Sequence, residues 1–112
     1  MSDWRTRLGA LEAEPLGDGR ELRHARSFGE KRRGLAGLTS LPPEVGLQIH
    51  RCRAVHTVGM RFALDLIWLD GDGRVVRIDR GVPRRRQRFC RRARSVIEVA
   101  AGEGDAFVAA AA

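Results

Sequence analysis

The strongest constraint on the fold is the run Leu64–Asp70, in which both sets of alternate side chains are largely apolar. Side chains of a strand point alternately to its two faces. One face would carry Leu64, Leu66 and Trp68, and the other Ala63, Asp65, Ile67 and Leu69. A strand with two apolar faces needs a covering layer on each side. The run therefore predicts a strand inside a packed domain.

The residues after this run predict a β-hairpin. Asp70-Gly71-Asp72-Gly73 separates it from a second β-rich run, Arg74–Asp79, and Asp-Gly pairs between two such runs are a strong hairpin signal. The two aspartates also suggest calcium, for which carboxylates are suitable ligands. The segment lacks the further ligands and the distal glutamate of an EF-hand loop, so the sequence favours a turn.

The rest of the chain is predicted to form short strands and one helix. Ser27 and Glu30 have the spacing of a capping box, which predicts a short helix over residues 28–37. Other predicted extended segments are Leu8–Glu14, Glu21–Arg26, Gly46–Thr57 and Ser95–Ala100. We therefore expect one mainly β domain over residues 1–112, a compact sandwich or barrel of six to seven short strands with one short helix, and a frayed tail at 109–112.

The chain is basic, and the excess charge is concentrated in one run. It has 21 Lys and Arg against 14 Asp and Glu, a formal net charge of +7, and seven arginines but no acid lie between Arg84 and Arg94. A preceding proline and like charges at i,i+4 spacing predict a loop rather than a helix. Nucleic-acid or polyanion binding is the alternative to a solvated loop, although Phe89 is the only aromatic residue in the run. The residues that would bind are Arg84, Arg85, Arg86, Arg88, Arg91 and Arg92.

A group of histidines and cysteines forms another candidate site. In an extended segment His50, Cys52 and His56 would share one face, and imidazole and thiolate are zinc or copper ligands. The set is incomplete unless Cys90 or His24 joins it, so no metal or other cofactor is predicted. A nucleophilic Cys52 with His56 as its base is a further alternative, but an extended chain separates their Cα atoms by about 13 Å.

Asp65 stands out because a charged residue interrupts the apolar run. A buried carboxylate must be paired or hydrogen-bonded, since otherwise its desolvation costs several kcal/mol. The candidate partners are Arg61, His56 or free backbone N–H groups at a bend near Gly59. Two interpretations follow: Asp65 fixes a loop in place, or it faces a ligand.

Composition predicts a soluble cytoplasmic protein with reduced thiols. Two cysteines do not make a disulfide framework, and no apolar run approaches the ~20 residues of a membrane span. Residues 1–5 lack the apolar core of a signal peptide. We therefore expect no membrane partner.

The segment from Cys52 to Asp65, CRAVHTVGMRFALD, followed by LIWLDGDGRVV, resembles the family known as domain of unknown function 192. The similarity extends over roughly residues 22–105, although Ala63 stands where proline is common in the family. This resemblance implies a small, mainly β fold of bacteria and archaea for which no activity is established as a class. It carries over five motif positions without assigning a catalytic residue: His56, Thr57, Met60, Arg61 and Asp65.

We therefore predict a binding module rather than an enzyme. Cys52 and the motif positions from His56 to Asp65 would form a small polar pocket for an unidentified small ligand or protein. Polyanion binding through the arginine run is the first alternative. A metal site or thiol enzyme at Cys52 and His56 is the second.

Overall fold

Residues 4–111, which the computed structural model describes, form eight strands, three α-helices and a short 3-10 turn. In chain order the elements are α1 (Trp4–Leu8), β1 (Glu12–Pro15), β2 (Glu21–Ala25), α2 (Phe28–Arg33), β3 (Val45–His50), β4 (Ala54–His56), β5 (Leu64–Leu69), β6 (Val75–Val82), β7 (Gln87–Phe89), β8 (Ser95–Ala100) and α3 (Gly104–Ala111). The predicted mainly β fold is confirmed, but the predicted six to seven strands and one helix are too few, because α1, α3 and the short strands β4 and β7 were not foreseen. None of the helices in the described residues is long and apolar enough to cross a membrane.

Six strands form one open sheet in the order β1-β2-β3-β8-β5-β6. β2 and β3 are parallel, and the other neighbours in this sheet are antiparallel. Parallel neighbours need a long crossover connection, and residues 26–44, which include α2, provide it. β4 and β7 form a separate two-stranded antiparallel ribbon. The ribbon lies over one face of the sheet, so the arrangement is sandwich-like rather than a closed barrel.

Both faces of the sheet are covered, as the apolar run predicts. The face under the ribbon, called here the ribbon face, includes Leu47, Ile49, Leu64, Leu66, Trp68 and Val96, packed with Leu35, Leu38, Val55 and Met60. The opposite face, called the helix face, includes Leu22, Ile67, Leu69, Ile97 and Val99, packed with Phe107 of α3. The division of β5 between Leu66 and Trp68 on one side and Ile67 and Leu69 on the other is confirmed.

The two predicted local motifs are also present. β5 and β6 pair as a hairpin, and Asp70 Oδ1 accepts hydrogen bonds from the backbone N–H groups of Asp72 and Arg74, both at 2.9 Å. The capping box is complete, because Ser27 Oγ accepts from the Glu30 N–H while the Glu30 carboxylate accepts from the Ser27 N–H. These contacts join residues at most four positions apart, which is why the sequence predicts them.

Three predictions about element boundaries are wrong. Leu8 ends α1 instead of starting a strand, because the helix directs this side chain into the core, where it is 1% exposed. Residues 109–111 form the end of α3 instead of fraying, since Phe107 anchors that helix on the sheet; Ala112 lies outside the described residues. The predicted helix over 28–37 ends at Arg33, where Gly34 adopts a positive φ of 45°.

Candidate functional site

A bend at Arg51 separates β3 from β4. Arg51 has a φ of 53°, in the left-handed region that L-residues seldom adopt. Beyond the bend, Cys52 and His56 line one cavity, whereas His50 Nε2 lies 2.7 Å from His24 Nδ1. The prediction that one face carries all three residues is therefore wrong, because the bend interrupts the strand alternation on which it depends.

Cys52, His56 and Met60 border a solvent-connected cavity of about 200 Å³ between α2 and the ribbon face. Its apolar wall includes Leu35, Ile49 and Val55, and its outer rim carries the basic side chains Lys31, Arg32, Arg33 and Arg51. Glu98 of β8 lies at its inner end. We call this space the Glu98 cavity.

Glu98 is buried without a partner. The residue is 5% exposed and makes no hydrogen bond or ion pair within residues 4–111, and its carboxylate oxygens border the solvent-connected cavity without being fully enclosed. Glu98 is paired through the backbone with Leu47 of β3 and Leu66 of β5, so it occupies the middle of the sheet. Burial raises the pKa of Glu98 to about 7. Near neutral pH this residue therefore exchanges a proton easily, either as a neutral donor or as an ionised acceptor.

Cys52 is a half-buried, neutral thiol. Its Sγ–H donates to the backbone oxygen of Ala54 at 3.1 Å. Burial raises the pKa of Cys52, and the nearby Glu98 raises it further. A nucleophilic cysteine needs a lowered pKa, so this environment opposes the thiol-enzyme alternative.

Thr57 holds the arginine run against the rest of the fold. Its Oγ1 donates to the Pro83 oxygen at 2.7 Å and accepts from the Arg86 N–H at 2.8 Å. Thr57 is 1% exposed. The residue is therefore structural and does not line the Glu98 cavity.

Asp65 lies on the helix face, on the other side of the sheet from the cavity. Its Oδ1 accepts from the Gly81 N–H at 2.8 Å, and its Oδ2 accepts from the N–H groups of Gly102 and Gly104 at 3.1 and 2.9 Å. These donors belong to the end of β6, to the turn after β8 and to the first residue of α3. Asp65 therefore fixes loops in place, as one of its two interpretations predicts.

The partners expected for Asp65 are nevertheless wrong. Neither Arg61 nor His56 forms a hydrogen bond or ion pair with it in the described residues, and the bend near Gly59 does not supply its donors. Arg61 is exposed and borders a separate groove together with Arg84 of the basic run. The motif from His56 to Asp65 is thus divided among a cavity, a groove and a structural anchor.

The arginine run is not helical, as predicted, but it is not a loop throughout. Residues 87–89 form β7, and the flanking residues form turns and bends. Arg84 Nε donates to the Met60 oxygen at 3.0 Å, but no arginine from Arg84 to Arg94 forms an ion pair within the described part of the chain. Phe89 is 61% exposed beside them. The run therefore presents unneutralised positive charge to solvent.

The possible metal ligands are dispersed. Cys90 is buried in the core, and His24 is hydrogen-bonded to His50. Neither residue therefore completes a set of metal ligands with Cys52. Among residues 4–111, no three or more His, Cys, Asp or Glu side chains are grouped so that they could hold a metal ion.

Glu98 is the residue that sequence reasoning missed. The strand Ser95–Ala100, SVIEVA, contains one acid among apolar residues, which is the pattern that identified Asp65. The signal was therefore available in the sequence. It did not reveal which of the two carboxylates would lack a partner, because the donors to Asp65 come from distant parts of the chain.

Comparisons with known proteins identify a family and a fold. The model of the DUF192 family, described as an uncharacterized ACR, matches residues 13–108. A crystal structure of a protein of unknown function from Novosphingobium aromaticivorans has a TM-score of 0.70 at 18% identity, over 96% of this chain and 93% of that one. A crystal structure from Sinorhizobium meliloti, described as a proposed transcription regulator, has a TM-score of 0.69 at 18% identity, over 86% and 83%. No curated protein matches the chain.

Proposed function

Because the chain belongs to the DUF192 family of uncharacterized proteins, we propose its function from its own geometry: it is a non-enzymatic binding module whose Glu98 cavity takes a small molecule. The observation that carries this proposal is the buried carboxylate of Glu98, which opens on the cavity and has no partner in the described residues. The predicted pocket of Cys52, His56 and Met60 is retained in this proposal. Thr57, Arg61 and Asp65 are not part of it.

The energetic argument concerns the desolvation of Glu98. Burying an ionised carboxylate without a hydrogen-bond donor is expensive, and proteins usually avoid the cost with a paired group. A ligand that donates a hydrogen bond to Glu98 would supply the missing partner. The free energy lost on folding would then be recovered on binding, which favours a ligand with a donor at its inner end.

The cavity also indicates the rest of the ligand. Leu35, Ile49 and Val55 offer an apolar wall, and Lys31 and Arg51 place positive charge at the rim. A fitting ligand has an ammonium or hydroxyl group, a short apolar body and an anionic group at its outer end. The volume of about 200 Å³ limits it to a small molecule.

The groups around the cavity support binding more than catalysis. The Cys52 thiol donates a hydrogen bond to a backbone oxygen, and burial raises the pKa of the thiol. His56 is exposed and makes no hydrogen bond to Cys52 in the described residues. A nucleophile activated by an adjacent base is therefore not assembled here.

A titration with 6-aminohexanoate, followed by amide chemical shifts in nuclear magnetic resonance, tests the proposal. We expect saturable shifts around Glu98 and Ile49, and weaker binding by at least tenfold for hexanoate, which lacks the amine. Glu98→Gln should weaken binding of the amino acid, whereas Glu44→Gln, which changes an exposed glutamate, should not. Equal binding of both probes, or an equal effect of both variants, would contradict the proposal.

The arginine run supports a second candidate function, binding of nucleic acid or another polyanion. Its favouring observation is that no arginine of Arg84–Arg94 forms an ion pair in the described residues, next to the exposed Phe89. Binding of this kind should ignore sequence, and log Kd should vary linearly with log salt concentration. Replacement of Arg85 and Arg91 should reduce the salt slope. A cytoplasmic location remains a prediction for either function.

A further inference from the structure

A second cavity, of about 500 Å³, lies on the other side of the bend at Arg51. Its lining includes Arg26, Arg51, Arg94, His50, Ser95 and Asp70. We propose that this cavity binds a tetrahedral oxoanion, such as the phosphate group of a small molecule, and that binding places one additional proton on His50. The proposal concerns a different site from the Glu98 cavity.

The charges of the cavity favour an anion. Within residues 4–111, Arg51 and Arg94 form no ion pair, whereas Arg26 pairs with Glu12 at 3.0 Å. The lining also contains one carboxylate, Asp70, whose Oδ1 accepts two backbone N–H groups of the hairpin turn and which keeps its negative charge. Guanidinium groups match the oxygens of a phosphate in geometry and charge. Arg94 donates from Nη1 to the Ala93 oxygen at 3.1 Å and keeps its other donors. Three arginines against one carboxylate therefore leave an excess of positive charge around this space.

The backbone at Arg51 also points to a specific site. Its φ of 53° is unfavourable for a residue with a long side chain, and such strain is concentrated at functional positions. A glycine or asparagine would adopt this bend more easily. Arg51 lines the cavity from this bend.

A chain of hydrogen bonds leads from the surface to the wall of this cavity. His24 is 6% exposed; its Nε2 lies 2.8 Å from Glu14 Oε1, and its Nδ1 lies 2.7 Å from His50 Nε2. Both nitrogens of His24 are therefore occupied. The free nitrogen of the pair is Nδ1 of His50, which has no partner in the described residues.

The directions of these hydrogen bonds determine whether Nδ1 of His50 carries a proton. An ionised Glu14 only accepts, so His24 donates from Nε2, and in the neutral pair its Nδ1 must accept from the Nε2–H of His50. Nδ1 of His50 then carries no proton and would repel an anion. One added proton at Nδ1 makes this nitrogen a donor. Transfer of the His50 Nε2 proton to His24 Nδ1 then brings the positive charge next to Glu14.

The surroundings of His50 favour its neutral form. Burial lowers the pKa of His50, and the positive charges of Arg26, His24 and Lys31 lower it further, while Glu12 acts in the opposite direction. An anion between Arg51 and Arg94 offsets these cations. It should raise the pKa of His50, so binding should take up a proton and become tighter as the pH falls.

Calorimetric titration with sulfate tests the proposal, because sulfate exchanges no proton near neutral pH and any uptake must come from the protein. The full chain is titrated at low salt in two buffers that differ in ionisation enthalpy. We expect saturable binding with uptake of up to one proton. Arg51→Asn, which suits the left-handed backbone, and Arg94→Gln should each weaken binding at least tenfold, while the exposed Arg91→Gln should change it less than twofold. His50→Gln should remove the proton uptake.

Other results would overturn the proposal. They are the absence of sulfate binding to a protein that melts cooperatively, an equal loss in Arg91→Gln, or uptake that persists in His50→Gln. A parallel titration with a ten-nucleotide single-stranded DNA separates a free phosphate from a nucleic-acid backbone. If the DNA binds, loses affinity in Arg94→Gln and sulfate does not bind, the cavity serves nucleic acid and the small-oxoanion assignment fails.

Discussion

Two buried carboxylates occupy neighbouring strands, and their surroundings differ. Asp65 on β5 faces α3, is 2% exposed and accepts three backbone N–H groups. Glu98 on β8 faces the ribbon, is 5% exposed and accepts none from the described residues. Both interrupt apolar strands in the same way in the sequence. Burial of an acid therefore does not separate a structural role from a binding role; the supply of donors does.

The supply of donors follows from the position along the strand. The register between β5 and β6 shifts between Leu64 and Leu66, where the Gly81 N–H turns toward Asp65. The nearby turn into α3 adds two more N–H groups. Glu98 instead lies between two paired strands, where the backbone N–H groups of the ladder are already used. A carboxylate in the middle of a sheet therefore needs hydrogen-bond donors from side chains or from a ligand.

Removal of Asp65 should have the largest effect. Asp65→Ala leaves the N–H groups of Gly81, Gly102 and Gly104 without their acceptor, and we expect the free energy of unfolding to fall by about 3–5 kcal/mol. Asp65→Asn should lose less, because the amide keeps one acceptor oxygen. Urea denaturation measures both, with the exposed Asp72→Ala as a control. A loss below about 1 kcal/mol for Asp65→Ala would show that Asp65, like Glu98, does not stabilise the fold, and would contradict the contrast between the two carboxylates.

Glu98→Gln should act in the opposite direction and depend on pH. The unfolded carboxyl ionises around its ordinary pKa of 4.5, whereas the folded one ionises at about 7. Between these values the folded state keeps a proton that the unfolded state has lost, so wild-type stability falls as the pH rises from about 4.5 to about 7. Glutamine avoids this loss. We expect a gain of about 3 kcal/mol near pH 8 that disappears near pH 4.

The same urea experiments at both pH values measure the difference for Glu98→Gln. A gain that is equal at the two pH values would show that ionisation of Glu98 is not its cause. A loss at pH 8 would show that the carboxylate has a partner and would remove the contrast with Asp65.

Gly104→Ala probes the tight contact at Asp65. A Cβ at this position would meet Asp65 Oδ2 at 2.9 Å and Asp65 Cβ at 3.2 Å, so the carboxylate or the start of α3 must move. We expect a loss of about 1–3 kcal/mol. Combined with Asp65→Ala, which removes the carboxylate contact at 2.9 Å but keeps the Cβ, the losses should be less than additive. Thermal or urea unfolding of the two single variants and the double variant measures the coupling; strict additivity would contradict the contact.

Ser27→Ala should have the smallest effect of the four. The Ser27 hydroxyl caps α2, whose residues form part of the Glu98 cavity. Loss of one cap costs about 1 kcal/mol. Amide hydrogen exchange should therefore become faster in α2 and remain unchanged in α3, on the face that Asp65 fixes. Faster exchange in both helices would show that the two faces are not independent.

Local patterns predicted much of the fold, and long-range contacts account for the errors. The apolar alternation of β5, the Asp70 turn and the Ser27 cap depend on neighbouring residues, and the structure confirms them. The donors to Asp65 come from Gly81, Gly102 and Gly104, at least 16 positions away, and no local pattern identifies them.

The bend that divides the histidines and cysteines was also hidden from the sequence. A residue in the left-handed region is usually glycine or asparagine, but at this bend it is Arg51. The alternating pattern of His50, Cys52 and His56 therefore continues through the bend in the sequence, although the backbone changes direction there.

The position of Arg51 has a thermodynamic consequence. Its side chain borders both the Glu98 cavity and the cavity beside His50. One guanidinium cannot make its best contacts in both directions at once, so an anionic group held by Arg51 on one side withdraws it from the other. If both cavities take the ligands proposed for them, their occupation is linked with negative cooperativity, and each ligand must reduce the affinity of the other by the same factor.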